Sequence, residues 1–170
     1  MKKSIEMYQV IVNRKDFHDF KILENVPLDL VDGQILVKIH QYAFTSNNIT
    51  YAAVGEVVGY WKFFPVSESE GIIPVWGFSE VIASKSEEIS VGERIYGYYP
   101  MASHLILQPS QIRNGNFVDG SPHRADLPQI YNNYINTKSD PSYTKEGEAF
   151  QSIFRPLFTT SFLINDFFFD

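Results

Sequence analysis

The sequence of 170 residues contains no cysteine, which excludes disulfide bonds, thiolate metal sites and a cysteine nucleophile. It also has no uninterrupted apolar run of about 18 residues, so no membrane-spanning helix is expected. The first ten residues, MKKSIEMYQV, lack the apolar segment of a secretory signal. Together these absences predict a protein of the cytoplasm.

Clusters of basic residues are missing as well. The net charge is −6, and the densest basic pairs are Lys2-Lys3 and Arg14-Lys15. Because neutralising phosphates requires clustered Lys and Arg, no nucleic-acid partner is expected. The histidines are few and widely spaced, without an HExxH or His-x-His motif: His18, His40, His104 and His123. No metal site is therefore expected from them.

Familiar catalytic and nucleotide-binding motifs are also absent. There is no GxSxG, no P-loop and no GxGxxG after any predicted strand, so the residues alone identify no catalytic centre. The pair His123-Arg124 lies between Asp119 and Asp126. An acid–base or anion site is one interpretation of this segment, and a local salt-bridged turn is the simpler one.

Aromatic residues are abundant at 15% of the chain, with 14 Phe and 10 Tyr, and 44% of all residues are hydrophobic. A chain of this length and composition forms about one domain with a substantial core. The aromatic side chains can build that core, line a cleft or form a hidden interface. A core is the commonest of the three.

The periodicity predicts a mainly β protein with a few helices. In residues 34–45, Ile35, Val37 and Ile39 alternate with more polar neighbours, as in a half-buried strand. Short segments joined by turns favour an antiparallel, barrel-like sheet over βαβ units. Six segments predict six or seven strands before residue 110: 7–14, 20–26, 34–45, 72–84, 91–100 and 103–110.

Beyond residue 110 the pattern is weaker. Residues 113–128 are expected to form a loop, and residues 126–137 a helix after Pro128. From about Lys145 apolar residues follow helical spacing, and Pro156 is expected to kink or break that helix.

The segment TSNNITY, residues 45–51, is the best candidate for a binding site. Asn47, Asn48 and Tyr51 would lie at the start of a short helix that Gly55 ends, where free backbone N–H groups suit carbonyl or phosphate oxygens. The alternative is a capped helix beside an aromatic core. Further candidates nearby in sequence would complete an aromatic slot: Trp61, Trp76 and Phe78.

The order of four segments resembles the N-terminal GroES-like domain of the medium-chain dehydrogenase/reductase superfamily. These segments are GQILVKIHQYAFTSNNI, PVWGFSEVIAS, ISVGERIYGYYP and SHLILQP. The sequence is most similar to a branch that carries only a domain-of-unknown-function label, through its TSNNITYA, YWKFFP, VWGF, PHR and RPLFTTSFL segments. The resemblance covers about residues 30–166 and implies a partly open β-barrel of the GroES-like kind.

The resemblance also implies a zinc-free, quinone-reductase-like protein. Zinc-dependent relatives have Gly-His-Glu where this chain has Gly77-Phe78-Ser79, and this chain has no cysteine ligand. The implied chemistry is hydride transfer from NAD(P)H to a small substrate of unknown identity. Positions comparable to Asn47, Asn48 and Tyr51 face nicotinamide and substrate in that superfamily.

The resemblance further implies a division at residue 145. Residues 1–145 would form the substrate-side domain, and residues 146–170 a linking helix whose Thr159 and Thr160 pack beside the nicotinamide. That helix would lead to a Rossmann domain, so the chain is expected to be truncated and inactive alone. An alternative is a non-catalytic assembly module that docks this helix on a second copy or on a separate Rossmann-domain chain.

Overall fold

The computed structural model describes residues 7–24 and 29–169, which form an antiparallel β domain followed by one long helix. Its helices are α1 (Ser46–Ala53), α2 (Gly55–Val58) and α3 (Glu148–Phe169). Its strands are β1 (Tyr8–Asn13), β2 (Asp16–Glu24), β3 (Ile35–Ala43), β4 (Glu70–Gly71), β5 (Pro74–Ser84), β6 (Arg94–Pro100), β7 (His104–Leu107), β8 (Pro109–Arg113), β9 (Asn116–Asp119) and β10 (Asn133–Asn136).

The strands form two sheets. Seven of them pair antiparallel in the order β7-β3-β5-β6-β10-β9-β8, and this sheet curls into a half-barrel. A smaller sheet has the order β2-β1-β4. The predicted fold class, mainly β with a partly open barrel and a C-terminal helix, is confirmed.

Strand β3 lies inside the large sheet and carries the alternation seen in the sequence. Ile35, Val37 and Ile39 are buried in the main core, while Lys38 and His40 are exposed. On β5, Gly77 lies opposite a register shift in β3, and a Cβ there would stand 2.1 Å from the Gln41 carbonyl oxygen. The missing side chain of Gly77 therefore allows the backbones of β5 and β3 to approach closely.

The loop expected at 113–128 is interrupted by β9, and the helix expected at 126–137 is wrong. Strands β8 and β9 form a hairpin around Asn114 and Gly115, whose φ angles are 51° and 77°. Residues Gln129–Tyr131 make one turn of 3-10 helix, and β10 follows directly. The Asn-Gly turn belonged to a hairpin rather than a loop, because β9 and β10 bury aromatic rings in the core.

Helix α3 begins three residues after Lys145 and continues through Pro156 to Phe169, so the predicted break does not occur. It packs against β3 and β5. Two ion pairs attach its first half to the sheet side of the molecule. Arg94 binds Glu148 with Nε–Oε1 at 2.7 Å, and Arg155 binds Asp140 with Nη1–Oδ2 at 2.6 Å.

These two carboxylates make the attachment of α3 sensitive to acid. Burial acts to raise the pKa of Glu148. Hydrogen bonds from Arg94 and Tyr143 outweigh this effect, so the pKa of Glu148 lies below its ordinary value. Burial also acts to raise the pKa of Asp140, and bonds from Ser142 and Arg155 again outweigh it and lower that pKa. A carboxyl group whose pKa is lower in the folded than in the unfolded protein stabilises the fold at pH values above its ordinary pKa. This stabilisation is lost as the pH falls through the pKa of the folded protein.

We therefore expect acidification below about pH 4 to lower the melting temperature of the native protein more steeply than that of the Arg94→Met variant. The variant already lacks the ion pair between Arg94 and Glu148. Thermal unfolding followed by circular dichroism between pH 7 and pH 3 measures this difference. Arg113→Met, at an exposed arginine on β8, is the control for loss of charge. Parallel pH curves for all three proteins would contradict the expectation.

Candidate functional site

A cleft of about 250 Å³ opens between the half-barrel and α3. Tyr51 reaches it from α1, Trp76 from β5 and Tyr96 from β6. Thr159 and Thr160 line it from α3. Four of the residues singled out in the sequence, Tyr51, Trp76, Thr159 and Thr160, therefore meet in one cavity from three distant segments.

Flat aromatic rings form the inner wall of this cleft. The Trp76 and Tyr96 rings are stacked, with centroids 5.7 Å apart and planes at 14°. Tyr131 lies 5.9 Å from Trp76 and 6.3 Å from Tyr51, measured between ring centroids. Such walls suit a flat, largely apolar ligand.

Tyr51 provides a polar atom within this wall. Trp76 donates a hydrogen bond from Nε1 to the Tyr51 hydroxyl oxygen at 3.3 Å. The hydroxyl proton of Tyr51 has no acceptor within residues 7–24 and 29–169. Burial raises the pKa of Tyr51 despite the opposing hydrogen bonds from Trp76 and Asn47, so the phenol stays protonated at neutral pH.

The two threonines present oxygen atoms from α3. Thr159 donates its hydroxyl proton to the Arg155 carbonyl at 2.9 Å, and Thr160 donates to the Pro156 carbonyl at 3.0 Å. Their protons are thus engaged in the helix, while their oxygen lone pairs remain able to accept. An N–H donor is the complementary ligand group.

Asn48 is placed as a structural residue. It is 3% exposed, accepts from the Thr45 backbone N–H at 2.7 Å and donates to the Pro74 carbonyl at 2.9 Å. The alternative of a capped helix therefore accounts for its contacts. Asn47 is half-buried and, with Asn48, lines a crevice of about 10 Å³ beside Pro156, next to the cleft rather than in it.

Trp61 does not line the cleft. Its indole is 3% exposed and fills a slot between two glycines. A Cβ on Gly55 would lie 2.3 Å from this indole, and one on Gly71 would lie 2.4 Å from it. Helix α1 ends at Ala53 with Val54 as its C-cap, directly before Gly55, and Gly55 then begins α2. The missing side chain of Gly55 makes room for Trp61.

Phe78 is fully buried and also lies outside the cleft lining. Its ring packs 5.1 Å from Tyr96 and 5.9 Å from Tyr143, with the Arg94 guanidinium 5.8 Å away. Two of these neighbours, Arg94 and Tyr143, bond Glu148 at the start of α3. Among the described residues, no group of three or more His, Asp or Glu is arranged to hold a metal ion.

Several residues of the cleft were not selected from the sequence, among them Tyr96, Tyr131 and Arg155. Arg155 precedes Thr159 by one helical turn, so the helical period could have placed both on one face. Tyr131 lies in a segment expected to be helical, and only its 3-10 turn brings it to the wall.

The segment containing His123 and Arg124 forms a buried ion pair. Arg124 Nη1 lies 3.1 Å from Asp119 Oδ2, and each side chain is 1% exposed. The predicted salt-bridged turn is therefore present, with Asp119 as the partner. Arg124 also lies 4.7 Å over the Phe64 ring.

The family description "Protein of unknown function (DUF2855)" matches residues 42–170. The chain belongs to the DUF2855 family. This confirms the predicted resemblance to a branch with a domain-of-unknown-function label. No curated protein sequence matches this DUF2855 chain significantly.

Several solved structures are similar to this DUF2855 chain. One is the Etr1p/NADP/crotonyl-CoA complex, at 13% identity and a TM-score of 0.49, covering 88% of this chain and 41% of that one. The mitochondrial 2-enoyl thioester reductase Etr1p/Etr2p heterodimer from Candida tropicalis has 13% identity, a TM-score of 0.48, and coverages of 85% and 40%. The quinone oxidoreductase from Coxiella burnetii has 14% identity, a TM-score of 0.40, and coverages of 75% and 40%.

The chain thus spans about two fifths of the length of these solved structures. Within the described part of this DUF2855 chain, no helix combines the length and apolarity needed to cross a bilayer.

Proposed function

We propose that this chain is the substrate-side domain of a zinc-independent, NAD(P)H-dependent oxidoreductase. The observation that carries the proposal is the cleft, where Tyr51 and Trp76 of the barrel meet Thr159 and Thr160 of α3. The sequence resemblance to the medium-chain dehydrogenase/reductase superfamily implies that Tyr51, Thr159 and Thr160 face the substrate and nicotinamide. In this proposal residues 1–145 are the substrate-side domain, and residues 146–170 lead to a dinucleotide-binding domain.

The cleft suits the nicotinamide end of the cofactor and not a whole dinucleotide. Its volume of about 250 Å³ is below the range of roughly 300–1,000 Å³ typical of sites for drug-sized ligands. Thr159 and Thr160 offer acceptor oxygens that match a carboxamide N–H₂. A second domain would hold the phosphates and the adenosine.

The proposed role of Tyr51 is to bind a substrate oxygen that gains negative charge. NAD(P)H, when bound, would supply the hydride. The Tyr51 phenol is held by Trp76, is protonated at neutral pH and has its proton free to donate. Tyr51 is only 7% exposed, and a fixed donor in such a buried position stabilises an oxyanion more strongly than water does.

Tyr51→Phe removes this donor and leaves the ring. In the protein that carries this chain together with its dinucleotide-binding domain, we expect kcat/KM to fall by about 100-fold. The measurement is NADPH oxidation at 340 nm with acceptors that contain a conjugated carbonyl group. Tyr60→Phe is the matched control, because the Tyr60 hydroxyl bonds Tyr131 at 2.9 Å and does not line the cleft. Equal rates in the two variants, or no oxidation with any such acceptor, would refute the proposal.

A second candidate function rests on the exposed apolar side chains along α3, among them Phe158 at 71% and Phe167 at 81%. A non-catalytic module would dock this helix on a partner chain, either another copy or a separate dinucleotide-binding protein. Sedimentation velocity over a range of concentrations tests it: a monomer throughout, with no co-purifying partner, argues against this candidate.

A further inference from the structure

Within residues 7–24 and 29–169, the lining of the cleft carries a positive charge and no negative charge. Arg155 is the only charged residue among those that line it in the described part of the chain. Its counter-ion, Asp140, does not line the cleft, and its carboxylate is 7% exposed. The carboxylate is fixed from behind, with Oδ1 accepting from the Ser142 backbone N–H and hydroxyl.

Asp140 therefore orients the Arg155 side chain and leaves most of its N–H groups free to bind a ligand. The bond between them uses one N–H group, on Nη1, and the other guanidinium N–H groups have no partner in residues 7–24 and 29–169. A guanidinium presents five N–H donors in a planar fork that matches a carboxylate. The Arg155 side chain is 27% exposed, so a ligand in the cleft can reach it.

The cation and the aromatic wall are adjacent. The Arg155 guanidinium carbon lies 4.7 Å from the centroid of the Tyr96 ring, which stacks on Trp76. The Tyr96 hydroxyl is buried without a hydrogen-bond partner among the described residues. Because buried donors are normally paired, this hydroxyl also favours an acceptor supplied by a ligand.

We propose that the cleft takes a planar, conjugated carboxylate, such as an aromatic acid, with its ring on the Trp76–Tyr96 wall and its carboxylate on Arg155. A volume of about 250 Å³ equals roughly eight waters of the liquid, which suits a compact one-ring acid. The proposal specifies the substrate class of the proposed function and rests on the same cleft.

The probes are trans-cinnamate and cinnamyl alcohol, which share a flat body and differ in charge. Isothermal titration calorimetry on the cofactor-free protein is expected to show cinnamate binding at least about tenfold more tightly than the alcohol, as for a charge-assisted hydrogen bond. Arg155→Gln should abolish that preference and leave the affinity for the alcohol within about twofold. Arg155→Lys should keep only part of the preference, because the charge remains but the planar fork that matches a carboxylate is lost.

Arg113→Gln is the control, since it removes the same charge from an exposed position on β8. It should leave cinnamate binding unchanged, and circular dichroism verifies that each variant is folded. Equal affinities for acid and alcohol, no binding of either at millimolar concentration, or equal losses in the Arg155→Gln and Arg113→Gln variants would overturn the proposal. Because no cofactor is present, cinnamate binding without NADPH oxidation would keep this inference and remove only the proposed redox function.

Discussion

Replacing Arg124 by methionine is expected to lower the free energy of unfolding by about 3–5 kcal/mol. Arg124 and Asp119 form an ion pair of 3.1 Å in which each side chain is 1% exposed. Methionine fills much of the space but leaves the Asp119 carboxylate buried without its counter-charge. The loss arises mainly from this stranded charge, together with the lost contact over Phe64. Urea unfolding followed by circular dichroism measures it.

The double variant Asp119→Asn/Arg124→Met separates charge from packing. The Asn amide oxygen can still accept from Gln108 and Ser121, which bond Asp119 Oδ1, but carries no charge. We expect the double variant to be more stable than Arg124→Met alone. Lys21→Met, which breaks the exposed pair with Glu70, should change stability by less than about 1 kcal/mol. An Arg124→Met effect as small as this would contradict the account.

Trp61→Ala should also destabilise the protein by about 3–5 kcal/mol, because it empties a fully enclosed slot. The indole is 3% exposed and contacts Phe17, with ring centroids 6.4 Å apart. Gly55 lies against the pyrrole ring of the indole and Gly71 against its benzene ring, so at these two positions no side chain is available to fill the space. Denaturant unfolding gives the loss directly.

A double-mutant cycle with Gly55 tests the slot itself. In the native background Gly55→Ala is expected to destabilise, since its Cβ would lie 2.3 Å from the indole. In the Trp61→Ala background that clash is gone, and the same change should be neutral or stabilising by up to about 1 kcal/mol, because alanine favours the helix. Additive effects of the two substitutions would show that the slot does not exist as described.

The main strands were predictable because burial of one face of a strand makes apolar and polar residues alternate in the sequence. Residues 34–45 were predicted as a strand, and β3 covers Ile35–Ala43. The β8–β9 hairpin was missed because its strands have five and four residues and are only partly buried. Such short strands are fixed by pairing with distant segments, which local pattern does not reveal.

The cleft was only partly predictable for a similar reason. Tyr60 and Trp61 are neighbours in sequence, yet the Tyr60 ring lies 4.7 Å from the Tyr51 ring while Trp61 packs against Gly55 and Gly71. A single turn of 3-10 helix sends their side chains in different directions. In the sequence, Arg155 looks like an ordinary solvent-exposed helix residue. Only its contacts with Asp140 and Tyr96 show that it lies beside the aromatic wall of the cleft.

The position of β3 between β5 and β7 has a consequence for synthesis on the ribosome. Ile35 pairs with Leu107, which lies 72 residues later in the chain. At a translation rate of about 5–20 residues per second, roughly 4–14 s pass between the emergence of the two partners. During that interval one edge of an apolar strand has no partner, so a nascent chain exposes a site for chaperones or aggregation before the half-barrel can close.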